Sequence, residues 1–392
     1  MTVFSTLKLS LITLLTIVLS PLPPAYANSI AISRLYDWNQ RVYVRVKVVD
    51  DNNVPIKSLN QADFTVESNG ESIEDFTLIK PDDVKPDPSR LIILLDMSGS
   101  MNSPDNSGEI RGIAATQAIR SFTNYIETQN LPTEVTVIPF AKRGQGCGKD
   151  GYTPPVVTSE AISNKFFAPG STELLNQLSS IERKFQEEKK YKRPCGSTDI
   201  RQPLKTAIQY FKTNYADDEN ISEPKTRLGI ILISDGYDQV LSSAPSELGE
   251  LEKLIENSPL ITINTLGYGL SDGKGEDRVD TVVLERIATA SGGFNKFSGD
   301  ETEIQAALED FLTALLGEYE IIYQPTITER ESQQTVEVGF ATVSAQKRFR
   351  INSLPTLPLD TRVQILALTL GLGLILVVLP FLSWRWLLEK NA

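Results

Sequence analysis

Four apolar runs of strand length, "RLIILLD" (90–96), "TEVTVIPF" (133–140), "RLGIILIS" (227–234) and "LITINTLGYG" (260–269), alternate with segments of helical periodicity. The helical patterns fall at 109–128, 173–189, 199–214, 245–257, 279–291 and 301–316. Near-continuous apolar strands need cover on both faces. Alternation with helices supplies it, so residues 89–317 predict a doubly wound, mostly parallel α/β sheet. The flanks read differently. "RVYVRVKVVD" (41–50) alternates Val42, Val44, Val46 and Val48 with Tyr43, Arg45 and Lys47, the period of a half-buried strand. "DFTVES" and "IEDFTLIK" predict further strands, so 28–88 is expected to form a small β (immunoglobulin-like) unit ending in the proline-rich hinge "PDDVKPDP". Residues 318–352 return to β with "YEIIYQ", "QTVEVGF" and "KRFRI", strands that could complete the N-terminal β unit. The fold class expected is therefore α/β flanked by a small β-sandwich-like unit.

Both ends carry membrane signals. Residues 1–27 hold Lys8, an apolar stretch from Leu9 to Leu19, and Ala25-Tyr26-Ala27 at a peptidase-like site, which predicts a signal peptide. Val363 to Trp384 contains no formal charge and is long enough for a transmembrane helix. It follows a stalk at 353–362 and leaves a tail of 385–392, which the cations Arg385 and Lys390 place in the cytoplasm. The localisation expected is a single-pass cell membrane protein, in a bacterium, with its bulk extracytoplasmic. "LPLDT" (357–361) is not a sortase signal, because Asp360 stands where threonine is needed.

Composition removes several functions. The 392 residues carry a net charge of −12, which argues against nucleic acid as a partner. Histidine is absent, which removes histidine triads, histidine-ligated zinc and imidazole acid–base catalysis. What remains is a set of oxygen donors. Asp96 ends the first apolar run, Ser98 and Ser100 follow at alternate positions, Thr198 opens a helix, and Asp235 ends the "GIILIS" run. In an open α/β sheet, ligands bind beyond the carboxyl ends of the strands, so these side chains are expected on one rim. Short oxygen ligands suit a hard cation, Mg2+ above all, with Mn2+ or Ca2+ as alternatives.

Asp96-x-Ser98-x-Ser100 after the first strand, with Thr198 and Asp235 later, resembles the von Willebrand factor type A domain and its metal-ion-dependent adhesion site. "LERIATASGG" (284–293) resembles that family's late helix and its Gly-Gly ending. The resemblance covers roughly residues 89–317. It implies that Ser98, Ser100 and Thr198 coordinate the ion directly or through water, and that Asp96 and Asp235 act largely through water. It also implies an adhesion function, in which a carboxylate from a protein or cell-envelope partner completes the metal's coordination. Two other readings stay open. One is a scaffold in a membrane-protein complex, where the metal only stabilises loops. The other is a metal-assisted hydrolase using Asp96 and Asp235, which lacks a general base beside the motif; the chain is expected not to be an enzyme.

Cys147 lies in a glycine-rich excursion (142–172) and Cys195 three residues before Thr198. An exported chain with two cysteines commonly pairs them, so a disulfide is expected, pinning the excursion beside the threonine loop. The insertion "NSPDNSGE" (102–109) lengthens another loop of the same rim. "SDGKGEDRVD" (271–280) lacks the spacing of a calcium loop and reads as a solvated loop. The basic run "KKYKRP" (189–194) reads as a helix end.

Overall fold

The structure is a computed structural model that describes residues 29–351, apart from 39, 51–53, 82, 84–85, 143–154, 164, 188–193, 195, 216–225, 236–237, 239–240, 242–243, 270–278 and 326–331, together with 364–371, 373, 376 and 380. The expected signal peptide, stalk and tail, most of the 271–280 and 189–194 segments, and both cysteines lie outside the described residues.

Five strands form a parallel sheet: β6 (Ser89–Asp96), β7 (Thr133–Phe140), β8 (Arg227–Ser234), β9 (Ile261–Tyr268) and β10 (Asn295–Ser298), in the order β10-β9-β8-β6-β7. Leu91, Ile93 and Leu95 of β6 face a layer made by helices α1 (Arg111–Thr128), α3 (Thr172–Gln186) and α7 (Glu301–Leu316). Ile92 and Leu94 face the opposite layer, which includes α4 (Arg201–Tyr215), α5 (Pro245–Glu256) and α6 (Thr281–Ser291). A short helix, α2 (Ser159–Ser163), joins this second layer through Ile162. Successive side chains of a strand point to opposite faces, so a strand covered on both has no room for polar alternation. Every residue of β8 is buried accordingly.

The remaining strands form two antiparallel sheets packed face to face. One has the order β1 (Ser29–Trp38), β2 (Arg41–Val49), β11 (Tyr319–Tyr323), β5 (Phe76–Ile79). The other has the order β13 (Val343–Arg350), β12 (Gln333–Phe340), β3 (Phe64–Ser68), β4 (Glu71–Ser72). Their shared core contains Val42, Val44, Val46, Phe64, Val66, Ile321, Val336 and Val338. Strand β11, which follows the α/β segment, lies between β2 and β5, both of which precede it.

The expected fold class is corrected in two respects. Among the described residues eight strands lie in antiparallel sheets against five in the parallel one, so the chain is a mixed assembly and not an α/β domain with a small appendage. Among the described residues no helix is long and apolar enough to cross a membrane. The transmembrane helix at 363–384, the membrane contact through it and the single-pass localisation are withdrawn on that finding.

Strand β2 also departs from the half-buried expectation. Arg45 and Lys47 are 4% and 2% exposed, because their face meets the α/β segment instead of water. Arg45 pairs with Asp87 at 2.6 Å and Glu320 at 3.1 Å. The Lys47 ammonium stands 3.6 Å from Glu318 and donates to the Gly292 carbonyl at 3.3 Å. Arg227, at the start of β8, reaches Glu318 at 3.1 Å and Asp87 at 3.4 Å. Gly292 ends α6 in the left-handed region (φ 76°), and a Cβ there would stand 2.8 Å from the Ile32 carbonyl, so the close junction requires glycine.

Removing one partner of such a cluster leaves buried charge uncompensated. Glu318→Gln is expected to cost about 3–5 kcal/mol in urea unfolding; a loss under about 1 kcal/mol would show that Lys47 and Arg227 need no counter-charge. Burial pushes the Lys347 ammonium down to about 8, with the Lys47 charge adding to it. Between there and the ordinary 10.5 the unfolded chain holds the proton that the folded one has released, so this group makes stability rise with pH across that window. Lys347→Met is expected to flatten that rise in unfolding midpoints measured from pH 8 upward.

Candidate functional site

Strand β6 delivers Asp96 to the carboxyl edge of the parallel sheet, and the chain then turns through Ser98 into a 3-10 turn at Gly99–Asn102. Strand β8 delivers Ser234, followed by Asp235, beside it. Thr198 arrives on a loop tied down from two sides. Gly99 N–H donates to the Gly196 carbonyl at 3.2 Å, and Lys142 N–H to the Ser197 carbonyl at 2.9 Å. Gly196 holds φ at 117°, a backbone conformation open to glycine.

The five expected residues stand within one hydrogen-bonded set. Asp96 Oδ1 accepts from Ser98 N–H at 2.8 Å. Its Oδ2 accepts from Thr198 Oγ1 at 3.0 Å and from Ser234 Oγ at 2.6 Å. Asp235 Oδ1 accepts from Ser100 Oγ at 2.8 Å, and the Ser98 and Ser100 hydroxyls lie 3.0 Å apart. Asp235 Oδ2 accepts from the Arg111 guanidinium at 2.9 Å. Asp96 and Asp235 are wholly buried, Ser98 and Thr198 nearly so, and Ser100 is half-buried.

Burial pushes the Asp235 carboxyl up to about 7, and the nearby Asp96 charge adds to the rise; Arg111 and Ser100 offset part of it. Burial also raises Asp96, against the hydrogen bonds from Ser234, Ser98 and Thr198. Two adjoining buried carboxylates with one guanidinium between them hold protons more tightly than either would in water.

Arg111 and Ser234 were not anticipated from the sequence. Ser234 sits directly before Asp235 in an apolar run, where a hydroxyl needs a partner. Arg111 opens α1, and a cation at a helix N-terminus runs against the helix dipole, so a carboxylate had to be near. A second acidic group stands on the same edge. Tyr268, at the end of β9, donates to Asp105 at 2.8 Å, and Asp105 also accepts from Ser107 and from Glu109 N–H. Burial, followed by the charges of Glu109, Asp105 and Asp300, raises the Glu301 carboxyl.

These contacts bear on the expected ion. Among the described residues no group of three or more histidine, cysteine, aspartate and glutamate side chains could hold a metal ion. Asp96 and Asp235 are the carboxylates of the hydrogen-bonded set, Arg111 pairs with one of them, and all four of their oxygens already accept from protein donors. The expectation of bound Mg2+, with Mn2+ or Ca2+ as alternatives, is corrected on that basis.

No family model matches the chain, and no curated protein matches it. Solved structures give distant likenesses. The pilus adhesin SpaC from Lactobacillus rhamnosus GG, in its open conformation, is 14% identical over 83% of this chain and 48% of its own, with a TM-score of 0.39. A mutant of the PilB minor pilin from Streptococcus sanguinis is 10% identical over 74% of this chain and 78% of its own, also at 0.39. The adhesive tip pilin of Group B Streptococcus agalactiae is 11% identical over 78% of this chain and 70% of its own, at 0.34. The chain thus spans about half the length of the Lactobacillus adhesin. At these scores none of the likenesses assigns a role to this chain.

The resemblance to a membrane-anchored von Willebrand factor type A protein with an intact metal-ion-dependent adhesion site is corrected with these findings. No family model returns it, and the rim holds no metal-binding group among the described residues. The expected Cys147–Cys195 disulfide lies outside the described residues.

The Arg111–Asp235 pair is testable directly. Arg111→Met leaves the Asp235 carboxylate buried without its counter-charge and is expected to cost about 3–5 kcal/mol in denaturant unfolding. An unchanged midpoint at neutral pH would mean that Asp235 is held neutral and needs no guanidinium.

Proposed function

We propose that this chain is a protein-binding, adhesion-type module whose contact surface is the carboxyl-end rim of the parallel sheet. The observation that carries the reading is the convergence there of Asp96, Ser98, Ser100, Thr198 and Asp235 from three separate segments. Open α/β sheets bind their ligands at that edge. The rim is acidic, with Glu109 exposed and Glu301 half-buried beside Asp105, so the partner is a protein offering lysine or arginine side chains. We read the chain as a binder and not an enzyme, since serine hydroxyls in a chain with no histidine lack the usual base. In this reading the sandwich drawn from 28–88 and 318–352 supports and presents the 89–317 unit.

A second reading, a scaffold whose rim only locks loops together, is favoured by the complete burial of Asp96 and Asp235. One experiment separates the two. The full chain and its variants are immobilised, and retained cell-envelope proteins are quantified by mass spectrometry at low and high salt. Binding at the rim predicts that Glu109→Lys/Glu301→Lys lowers retention at least tenfold without moving the melting temperature, and that salt lowers wild-type retention. The scaffold reading predicts that Asp96→Ala lowers the melting temperature by several degrees while retention stays intact.

A further inference from the structure

The sandwich is incompletely closed at its two sides. On one side β4 pairs only with Glu67 and Ser68 of β3, so among the described residues no strand lies beside Phe64 and Thr65 on that edge. A cavity of about 440 Å³ opens there, with Phe64, Val66, Ile73 and Phe76 in its wall, and Ile73 is only partly buried. On the other side β13 is the last strand of the same sheet. It pairs with β12 along its full length, and among the described residues no strand pairs with its outer edge. Val343 and Ala345 of β13 are likewise only partly buried members of the sandwich core.

The two edges carry opposite charge. Residues 58–79, which include β3 and β4, hold Asp63, Glu67, Glu71, Glu74 and Asp75 and no cation, and all of these acids are exposed. Residues 341–351, which include β13, hold Lys347, Arg348 and Arg350 and no acid. Lys347 points inward and donates to the Ile32 carbonyl of β1 at 3.3 Å, whereas Arg348 and Arg350 are exposed. An open sheet edge is a template for another strand, and charge along it ordinarily prevents pairing because like edges repel. In this sheet that repulsion acts between two acidic edges or two basic ones. An acidic edge facing a basic edge is attracted instead.

We propose that copies of this chain associate head to tail, with β13 of one copy lying along the β3–β4 edge of the next. The pleat supports the match. Arg348 and Arg350 stand on the outer face of the sheet, as Glu67 does, while Val343 and Ala345 stand on the inner face with Phe64 and Val66. Joining the two edges therefore sets cations beside acids outside and brings Val343 and Ala345 toward the open cavity wall inside. Both incompletely covered ends of the core are closed by one contact. Because unlike edges meet, the contact is heterologous, and it continues past two copies into a ring or a row. This inference concerns the sandwich and does not depend on the rim reading.

The test is sedimentation velocity of the full chain over a range of protein concentrations, at low and high salt. At low salt the mass is expected to rise with concentration beyond two chains, and high salt is expected to reverse the rise. Arg348→Gln/Arg350→Gln and Glu67→Gln/Glu71→Gln are each expected to weaken self-association at least tenfold. All four side chains are exposed, so the melting temperatures of both variants should match wild type. Each variant keeps one intact edge, so an equal mixture of the two is expected to give a species of two chains and nothing larger. A wild-type mass that stays at one chain or stops at two would overturn the proposal. So would self-association that survives either double substitution, as association through another part of the chain would, or a mixture of variants that remains monomeric.

Discussion

Burial of strand β6 on both faces is the constraint on which the rest of the structure depends. Its residues Leu91 to Leu95 are at most 2% exposed, with β7 on one side, β8 on the other and helices above and below. A strand in that position can carry polar groups only at its ends. Asp96 is therefore not free to lie elsewhere, and its carboxylate, once buried, has to be supplied with donors. The loops that bring Ser98 and Thr198 to it, and the end of β8 that brings Ser234, are shaped by that requirement. The polar rim is in this sense a consequence of the apolar sheet.

The junction between the sandwich and the α/β segment obeys a different rule. Burying Arg45, Lys47 and Arg227 is expensive, and the attraction of Glu318, Glu320 and Asp87 offsets the cost only where the geometry is close. Such a cluster contributes less to stability than an apolar contact of the same size would, but it admits few alternative arrangements. Strand β11 leads directly out of the α/β segment and carries Glu320, with Glu318 two residues earlier. The same short stretch thus supplies the central partner of β2 and the acids that meet its cations.

How far the sequence could be read follows from which physical effects are local. The apolar runs of β6, β7, β8 and β9 announce themselves because two buried faces leave no other composition. The alternation in 41–50 shows a strand equally well, and there the inference went too far. Period two identifies which face packs on the sandwich core, but it cannot say that the other face meets water, and Arg45 and Lys47 meet carboxylates. At the rim, the positions of Asp96 and Asp235 follow from strand ends, whereas Arg111 comes from the start of a helix after an inserted loop. Without Arg111 the site reads as a cradle for a cation. With it, one carboxylate already has its positive partner.

The sequence by itself determined where most strands and helices fall, that the central sheet is covered on both faces, and that short oxygen donors follow the strand ends. These are properties of local pattern and of hydrophobic burial, which each segment carries wherever it lies. Only the tertiary structure decided that β11 enters between β2 and β5, that three buried cations share three acids at the junction, and that Arg111 meets Asp235. Each of those depends on groups brought together from distant parts of the chain, and electrostatic pairing between such groups leaves no periodic trace in the order of residues.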